Sequence, residues 1–225
     1  MISDFISLIY PNICYACDRT LYKHEECMCT FCSYHLPKTN YHLDNGNPIS
    51  KLFWGRVNIQ SASAFYHFDK GSKVQNLIHH LKYKGHQEIG KMLGHIYGKE
   101  LLKSEHYQNI DLVIPVPLHP QKLKQRGYNQ SDYFAFGLAK GLGASWLPNE
   151  LSRTSDSQSQ TLRSRFDRWK NLDSVFGMRN PQKFDGLNVL IADDVITTGS
   201  TLEACAEVLL LIPGVKVSVA AIACA

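Results

Sequence analysis

From Val189 to Thr201 the chain reads Val-Leu-Ile-Ala-Asp-Asp-Val-Ile-Thr-Thr-Gly-Ser-Thr, and no other run restricts its fold as much. The first four residues are continuously apolar, which marks a strand buried on both faces rather than one alternating between core and water. Such strands belong to parallel sheets covered by helices. Beyond Gly199 the apolar residues Leu202, Val208, Leu209 and Ile212 take up helical spacing, so strand, loop and helix follow one another directly. Asp193 and Asp194 stand at the hinge, followed by hydroxyl donors Thr197, Thr198, Ser200 and Thr201 around Gly199, which lets backbone approach an anion. Two acids suit a diol, and a small-residue loop at a helix N-terminus suits an anion. A phosphorylated ribose matches that layout. Adjacent acids after a strand can be solvated turn residues, but that leaves the hydroxyl-rich loop unexplained. Ser200-x-x-Glu203 also matches a capping box, which predicts that Ser200 caps the new helix.

The preceding half of the chain repeats the strand-helix alternation. Ser61 to Phe68 reads as a strand, and a helix after Gly71 carries Val74, Leu77, Ile78 and Leu81 on one face. That helix ends at Lys82-Tyr-Lys84-Gly85, where the lysines complement a helix C-terminus or face a phosphate. A second helix, about 87–103, presents Ile89, Met92, Leu93, Ile96 and Leu101, while His79, His80 and His86 form no complete metal or catalytic set. Asp111-Leu-Val-Ile-Pro115-Val-Pro117 reads as a central parallel strand stopped by its prolines. Its exit leads to His119, Lys122, Lys124 and Arg126, a basic loop placed to neutralise a pyrophosphate, and then to a helix through Tyr133, Phe134 and Leu138 that ends at Gly143. Residues 152–170 are serine-rich and basic, which predicts a loop whose Arg153, Arg163 and Arg165 offer guanidinium forks to phosphate. Val215 to Ile222 closes the sheet.

The cysteines divide into two groups. Cys205 and Cys224 lie in apolar surroundings and read as small core residues. Cys14-x-x-Cys17 and Cys29-x-x-Cys32, eleven residues apart, are two knuckles able to wrap one tetrahedral Zn²⁺. A segment this short cannot bury enough apolar surface to fold alone, so metal would hold it. Cys27, His24 and His35 stand close enough to compete as ligands, and paired disulfides or a metal-free packing role are the alternatives. Residues 36–58 are polar and turn-rich and read as a linker, with Phe53-Trp54 as a patch for docking the Cys-rich head.

The formal net charge of +4 suits an anionic ligand but lacks the single-sign blocks of a nucleic-acid tail. No apolar run approaches the roughly 20 residues of a membrane helix. The N-terminus has no basic stretch of a secretion signal, so a cytoplasmic protein without membrane insertion is expected. The oligomeric state is not readable from the sequence.

Val189 to Thr201 resembles the 5-phosphoribosyl-1-pyrophosphate (PRPP) motif of type I phosphoribosyltransferases. Together with the Cys knuckles, Leu81-Lys-Tyr-Lys-Gly85, Pro115-Val-Pro-Leu-His-Pro120, Arg126-Gly-Tyr-Asn-Gln-Ser131 and Gln160-x-x-Leu…Arg165…Asn171, it makes most of the chain resemble the ComF competence proteins. Pro115-Val-Pro117 and Arg153-Thr154 are also similar to glutamine amidophosphoribosyltransferases, but residue 2 is Ile and no Cys-initiated glutaminase domain accompanies them. The resemblance implies an α/β type I phosphoribosyltransferase fold, a mainly parallel sheet flanked by helices, over 59–225. A four-Cys zinc finger over 1–37 and a connector over 38–58 would precede it. It implies that Asp193 and Asp194 hold the ribose hydroxyls, that Thr197, Thr198, Gly199, Ser200 and Thr201 hold the 5-phosphate, and that Arg126, Asn129 and Gln130 face the pyrophosphate. Asp193, Asp194, Arg153 and Arg165 would be catalytic, with structural Zn²⁺ on Cys14, Cys17, Cys29 and Cys32 and with Mg²⁺ bound alongside PRPP. The implied activity is phosphoribosyl transfer to an unassigned acceptor in a DNA-uptake setting. The alternative is a PRPP- or nucleotide-binding module that contacts single-stranded DNA or a competence helicase.

Overall fold

The computed structural model describes residues 11–153 and 175–225. Its strands are β1 (Ser61–His67), β2 (Leu112–Pro115), β3 (Ser145–Trp146), β4 (Leu151–Arg153), β5 (Phe176–Met178), β6 (Asn188–Ile196) and β7 (Lys216–Cys224). Its α-helices are α1 (Thr30–His35), α2 (Pro48–Lys51), α3 (Lys73–Tyr83), α4 (Gln87–Leu101), α5 (Pro120–Arg126), α6 (Gln130–Leu142) and α7 (Ser200–Leu210). Five strands form one parallel sheet in the order β1-β7-β6-β2-β3, while β4 and β5 pair antiparallel beside it.

The continuous apolar runs have their physical cause in this sheet. Leu190, Ala192, Ala220 and Ile222 enter a core shared with α3, α4 and α6. Val189, Ile191, Val217 and Val219 enter a second core with α7. A sheet covered on both faces is an α/β architecture, as the strand pattern predicts. The crossover through α7 steps from β6 to β7, and the crossover through α6 steps the other way, from β2 to β3. The chain therefore reverses direction between β6 and β2, and a crevice opens at their carboxyl ends. Asp193 and Asp194 close one side of it and Pro115-Val-Pro117 the other.

Helices α4 and α6 approach unusually closely because both lack side chains where they cross. A Cβ on Gly94 would stand 2.3 Å from the Phe134 carbonyl oxygen, and one on Gly137 the same distance from that of Lys91. Helix propensity alone gives no reason for glycine inside either helix. Their backbone contact does.

Three local expectations are corrected. The basic stretch after Pro117 is helix α5 rather than a loop, capped by His119 and with no buried residue. Ser152 and Arg153 belong to β4 rather than to a loop, and 154–174 lie outside the described residues. The turn-rich stretch 36–58 contributes to the core. Phe53 is buried with Ile49 in the α7-side core and packs beneath Gly199, where an added Cβ would meet its Cζ at 3.1 Å. Phe53 thus supports the hydroxyl-rich loop instead of docking the Cys-rich head, and Trp54 stays exposed.

Asn47 organises that stretch. Its Oδ1 accepts from Ile49 N at 2.8 Å and Ser50 N at 3.0 Å, capping α2. Its Nδ2 donates to Asp44 O at 2.7 Å and Ala62 O at 2.9 Å, tying the turn to β1. Asn47→Ala removes a cap and leaves buried partners unsatisfied, so it is expected to cost about 2–3 kcal/mol, read as a lower urea midpoint at unchanged slope.

Candidate functional site

Asp193 and Asp194 sit near the end of β6, where alternation along a strand turns them to opposite sides. Asp194 is buried, and its Oδ2 accepts from Gln130 Nε2 at 2.5 Å and pairs with Lys82 Nζ at 2.9 Å. Asp193 Oδ1 accepts from Ser131 Oγ at 2.9 Å and from the Asp194 backbone N–H at 2.8 Å. Among the described residues, no hydrogen bond reaches Asp193 Oδ2 or Asp194 Oδ1. Each acid thus has one oxygen held by the protein and one open. Burial, then the neighbouring Asp194 charge, push the Asp193 carboxyl up to about 7, against the opposing pull of its hydrogen bonds and Lys82.

The donors arrive from three elements. Lys82 comes from the last turn of α3, and Gln130 and Ser131 from the first turn of α6. Asn129 caps α6, accepting from Ser131 N at 3.2 Å, and donates to Val116 O at 2.9 Å, so it anchors the helix start to the β2 exit. Arg126 donates to Gln130 Oε1 at 2.7 Å and lies with its guanidinium 5.0 Å from the Tyr83 ring centre.

The loop after β6 presents Thr197, Thr198, Ser200 and Thr201 at the surface around a buried Gly199. Gly199 has φ +77° and is itself the N-cap of α7, which corrects the Ser200 capping box. Glu203 pairs instead with Arg56, which also donates to Thr198 O at 3.2 Å. Ser200 is thereby a first-turn residue whose hydroxyl lies 3.1 Å from that of Thr198. An α-helix of eleven residues begins here, with exposed hydroxyls around its partly positive end.

A second centre forms in the Cys-rich head, which packs along α3: Asn76 donates to Ala16 O, and the Tyr15 ring lies 5.0 Å from that of His80. The Sγ atoms of Cys14, Cys17, Cys29 and Cys32 all lie within 4.8 Å of one another, with Cys17 and Cys29 at 3.7 Å. A tetrahedral zinc with bonds of about 2.3 Å sets its sulfurs about 3.8 Å apart, so the donor set fits such an ion. Backbone N–H of Cys29 donates to Cys14 Sγ at 3.3 Å, the outer support that steadies thiolate ligands. Cys27 stands outside the cluster, buried, with its thiol pushed up to about 11 first by burial and then by Glu88 and Glu26. His24 stacks on Tyr22 and His35 on Phe31, so neither joins the four.

No family model matches the chain. Individual proteins do. It is 30% identical over 209 residues to DNA utilization protein YhgH of Escherichia coli, covering 91% of this chain and 87% of that one. The YhgH protein of Salmonella typhimurium is 31% identical over the same proportions. Competence protein F of Haemophilus influenzae is 36% identical over 100 residues, 44% of each chain. The chain belongs to the ComF family.

Family membership leaves the position of each side chain to the structure. Gln130 meets Asp194 directly and Arg126 braces Gln130 from outside, while Asn129 is committed to backbone. Arg153 ends β4 over the Phe176 ring at 5.6 Å, and its charge and that of Asp193 act in opposite senses on the buried Cys205 thiol. Arg163 and Arg165 lie outside the described residues. The sequence gives Ser131 no separate role, leaves Lys82 divided between capping and phosphate, and offers Arg56 only beside Trp54 as a weak hint of single-strand stacking, whereas the structure sets Arg56 on Glu203 and Thr198 O. Lys82 carries the one available signal, a basic residue directly after the last apolar position of its helix. Among the described residues, no helix is long and apolar enough to cross a membrane.

Proposed function

We propose that the chain has the type I phosphoribosyltransferase fold and holds PRPP in the crevice between β6 and β2. One observation carries this reading: two acids with one open oxygen each, directly followed by an exposed hydroxyl loop on the first turn of α7. Asp193 Oδ2 and Asp194 Oδ1 accept the ribose hydroxyls. Thr197, Thr198, Ser200, Thr201 and the backbone at Gly199 receive the 5-phosphate, where the α7 dipole favours the anion. Arg126 faces the pyrophosphate, joined by Arg153. Mg²⁺ carried by the ligand offsets its pyrophosphate charge. Transfer breaks the bond from ribose C1 to pyrophosphate and forms one to the acceptor, and carboxylates below the ring stabilise the positive charge that develops.

The names of the relatives, DNA utilization and competence proteins, support placing this activity in DNA uptake. They also support a second reading, a PRPP-sensing module that contacts single-stranded DNA or a competence helicase. A specific surface favours that reading: Tyr22 and Tyr34 are exposed on the Cys-rich head, and Arg19 and Lys73 both lie 5.2 Å from the Phe31 ring centre. Aromatic faces flanked by cations suit unpaired bases.

Calorimetric titration with PRPP and Mg²⁺ tests the site. The wild-type chain is expected to bind, and Asp193→Asn with Asp194→Asn to weaken binding at least about tenfold, since the charge-assisted hydrogen bond at Asp194 is lost and position 193 can no longer ionise against the ligand. Absence of wild-type binding at millimolar PRPP sinks the reading. Pyrophosphate release that depends on an added acceptor identifies a transferase, and binding without release identifies the module.

A further inference from the structure

We infer that Lys82 is the internal counter-ion of the acid pair, fixing Asp194 as its charged member and Asp193 as the member that carries a proton. The inference rests on the crevice being a diol clamp for its functional meaning, but the charge arrangement belongs to the ligand-free protein.

The geometry is lopsided. Both cation and amide converge on Asp194 Oδ2, the ammonium of Lys82 at 2.9 Å and Gln130 Nε2 at 2.5 Å. Among the described residues, Asp193 receives neutral donors alone, Ser131 Oγ and one backbone N–H. Two adjacent carboxylates cannot both ionise cheaply at this burial, so the proton settles on the one without a cation. The raised titration of Asp193 agrees.

Other charges in the neighbourhood do not reverse this order. Cys205 on α7 faces Asp193 as a thiol whose titration burial raises, so it adds no charge. Arg153 lies at the end of β4 on the same side and acts on Cys205. Arg126 reaches the pair only through Gln130, to which it donates at 2.7 Å. Among the described residues, Lys82 is the cation that touches a carboxylate of the pair.

The consequence for recognition is a division of labour. Charged Asp194 presents a fixed acceptor for one ribose hydroxyl. Asp193 changes state: a ligand that needs a second anionic acceptor, or that brings Mg²⁺ against the pair, must expel its proton. Affinity for the magnesium complex is then expected to rise with pH through the neutral range. Lys82 is a positioning residue in this scheme, since it acts through Asp194.

The test begins without ligand. Carbon-13 NMR titration of the aspartate carboxyls in the full chain reads the proton shared by the pair, compared among wild type, Lys82→Met and Lys82→Arg. Removing the ammonium is expected to raise the midpoint of the pair by about one pH unit or more, and arginine to restore it. An unmoved midpoint in a folded Lys82→Met chain overturns the assignment. PRPP titrations between pH 6 and 8 follow, in which Lys82→Met is expected to shift the affinity profile to higher pH by the same amount. Absence of PRPP binding in wild type would overturn the diol clamp while leaving the carboxyl titration to decide the role of Lys82.

Discussion

Gly137→Ala is expected to destabilise the protein by more than about 3 kcal/mol, although alanine is the better helix former by about 1 kcal/mol. The two effects have opposite signs, so the measurement separates them. Gly137 faces Gly94 across the α4–α6 crossing, and its added Cβ would lie 2.3 Å from Lys91 O and 2.9 Å from His95 N. Those are backbone atoms and cannot rotate away, so the helices must part. Parting them opens a core that contains Leu93, Phe134 and Leu138, all fully buried. It also moves the start of α6, where Gln130 and Ser131 hold the two acids. The expected result is a lower denaturant midpoint at unchanged slope together with weakened PRPP binding. A midpoint equal to or above wild type would mean that propensity prevails and the helices are not in backbone contact.

That crossing also marks where sequence reading reached its limit. Val189 to Thr201 was legible because one short run carries strand, acids, loop and helix start, and local chemistry fixes all four. The paired Cys knuckles were legible for the same reason: metal geometry sets their spacing. Lys82 and Ser131 were not, because their contacts to the acids join residues 112 and 62 positions apart. Helical periodicity places Lys82 on a turn but cannot say which strand end lies opposite. The burial of Phe53 has no local signal, because the wider stretch 36–58 is polar and turn-rich and the Gly199 it packs against is distant in sequence. The glycines of α4 and α6 were passed over since periodicity counts large apolar residues. At those positions the informative feature is a missing side chain.

Removing metal from the Cys-rich head should have an effect of similar size. Purified protein is expected to contain one zinc per chain, and Cys14→Ser or strong chelation to lower the melting midpoint by on the order of 10 °C. Zinc on four thiolates supplies about 10–16 kcal/mol of binding energy in isolated fingers. Only part of it stabilises a chain with a core of its own, and about 4 kcal/mol suffices for the shift at this length. The head has little to replace it. Its buried residues Cys14, Ala16, Cys27 and Met28 share a core with Val74, Leu77 and Leu81 of α3, and Asn76 Nδ2 donates to Ala16 O at 3.2 Å. Loss of the metal therefore uncovers one face of α3, the helix whose last turn carries Lys82. The chelated protein is expected to bind PRPP more weakly as well, while Cys27→Ser, which removes only a packed thiol, should retain full zinc content. Metal analysis and melting decide the matter independently of any ligand: a zinc-free wild type with an unchanged midpoint would make the four cysteines a packing cluster and sever the head from the site.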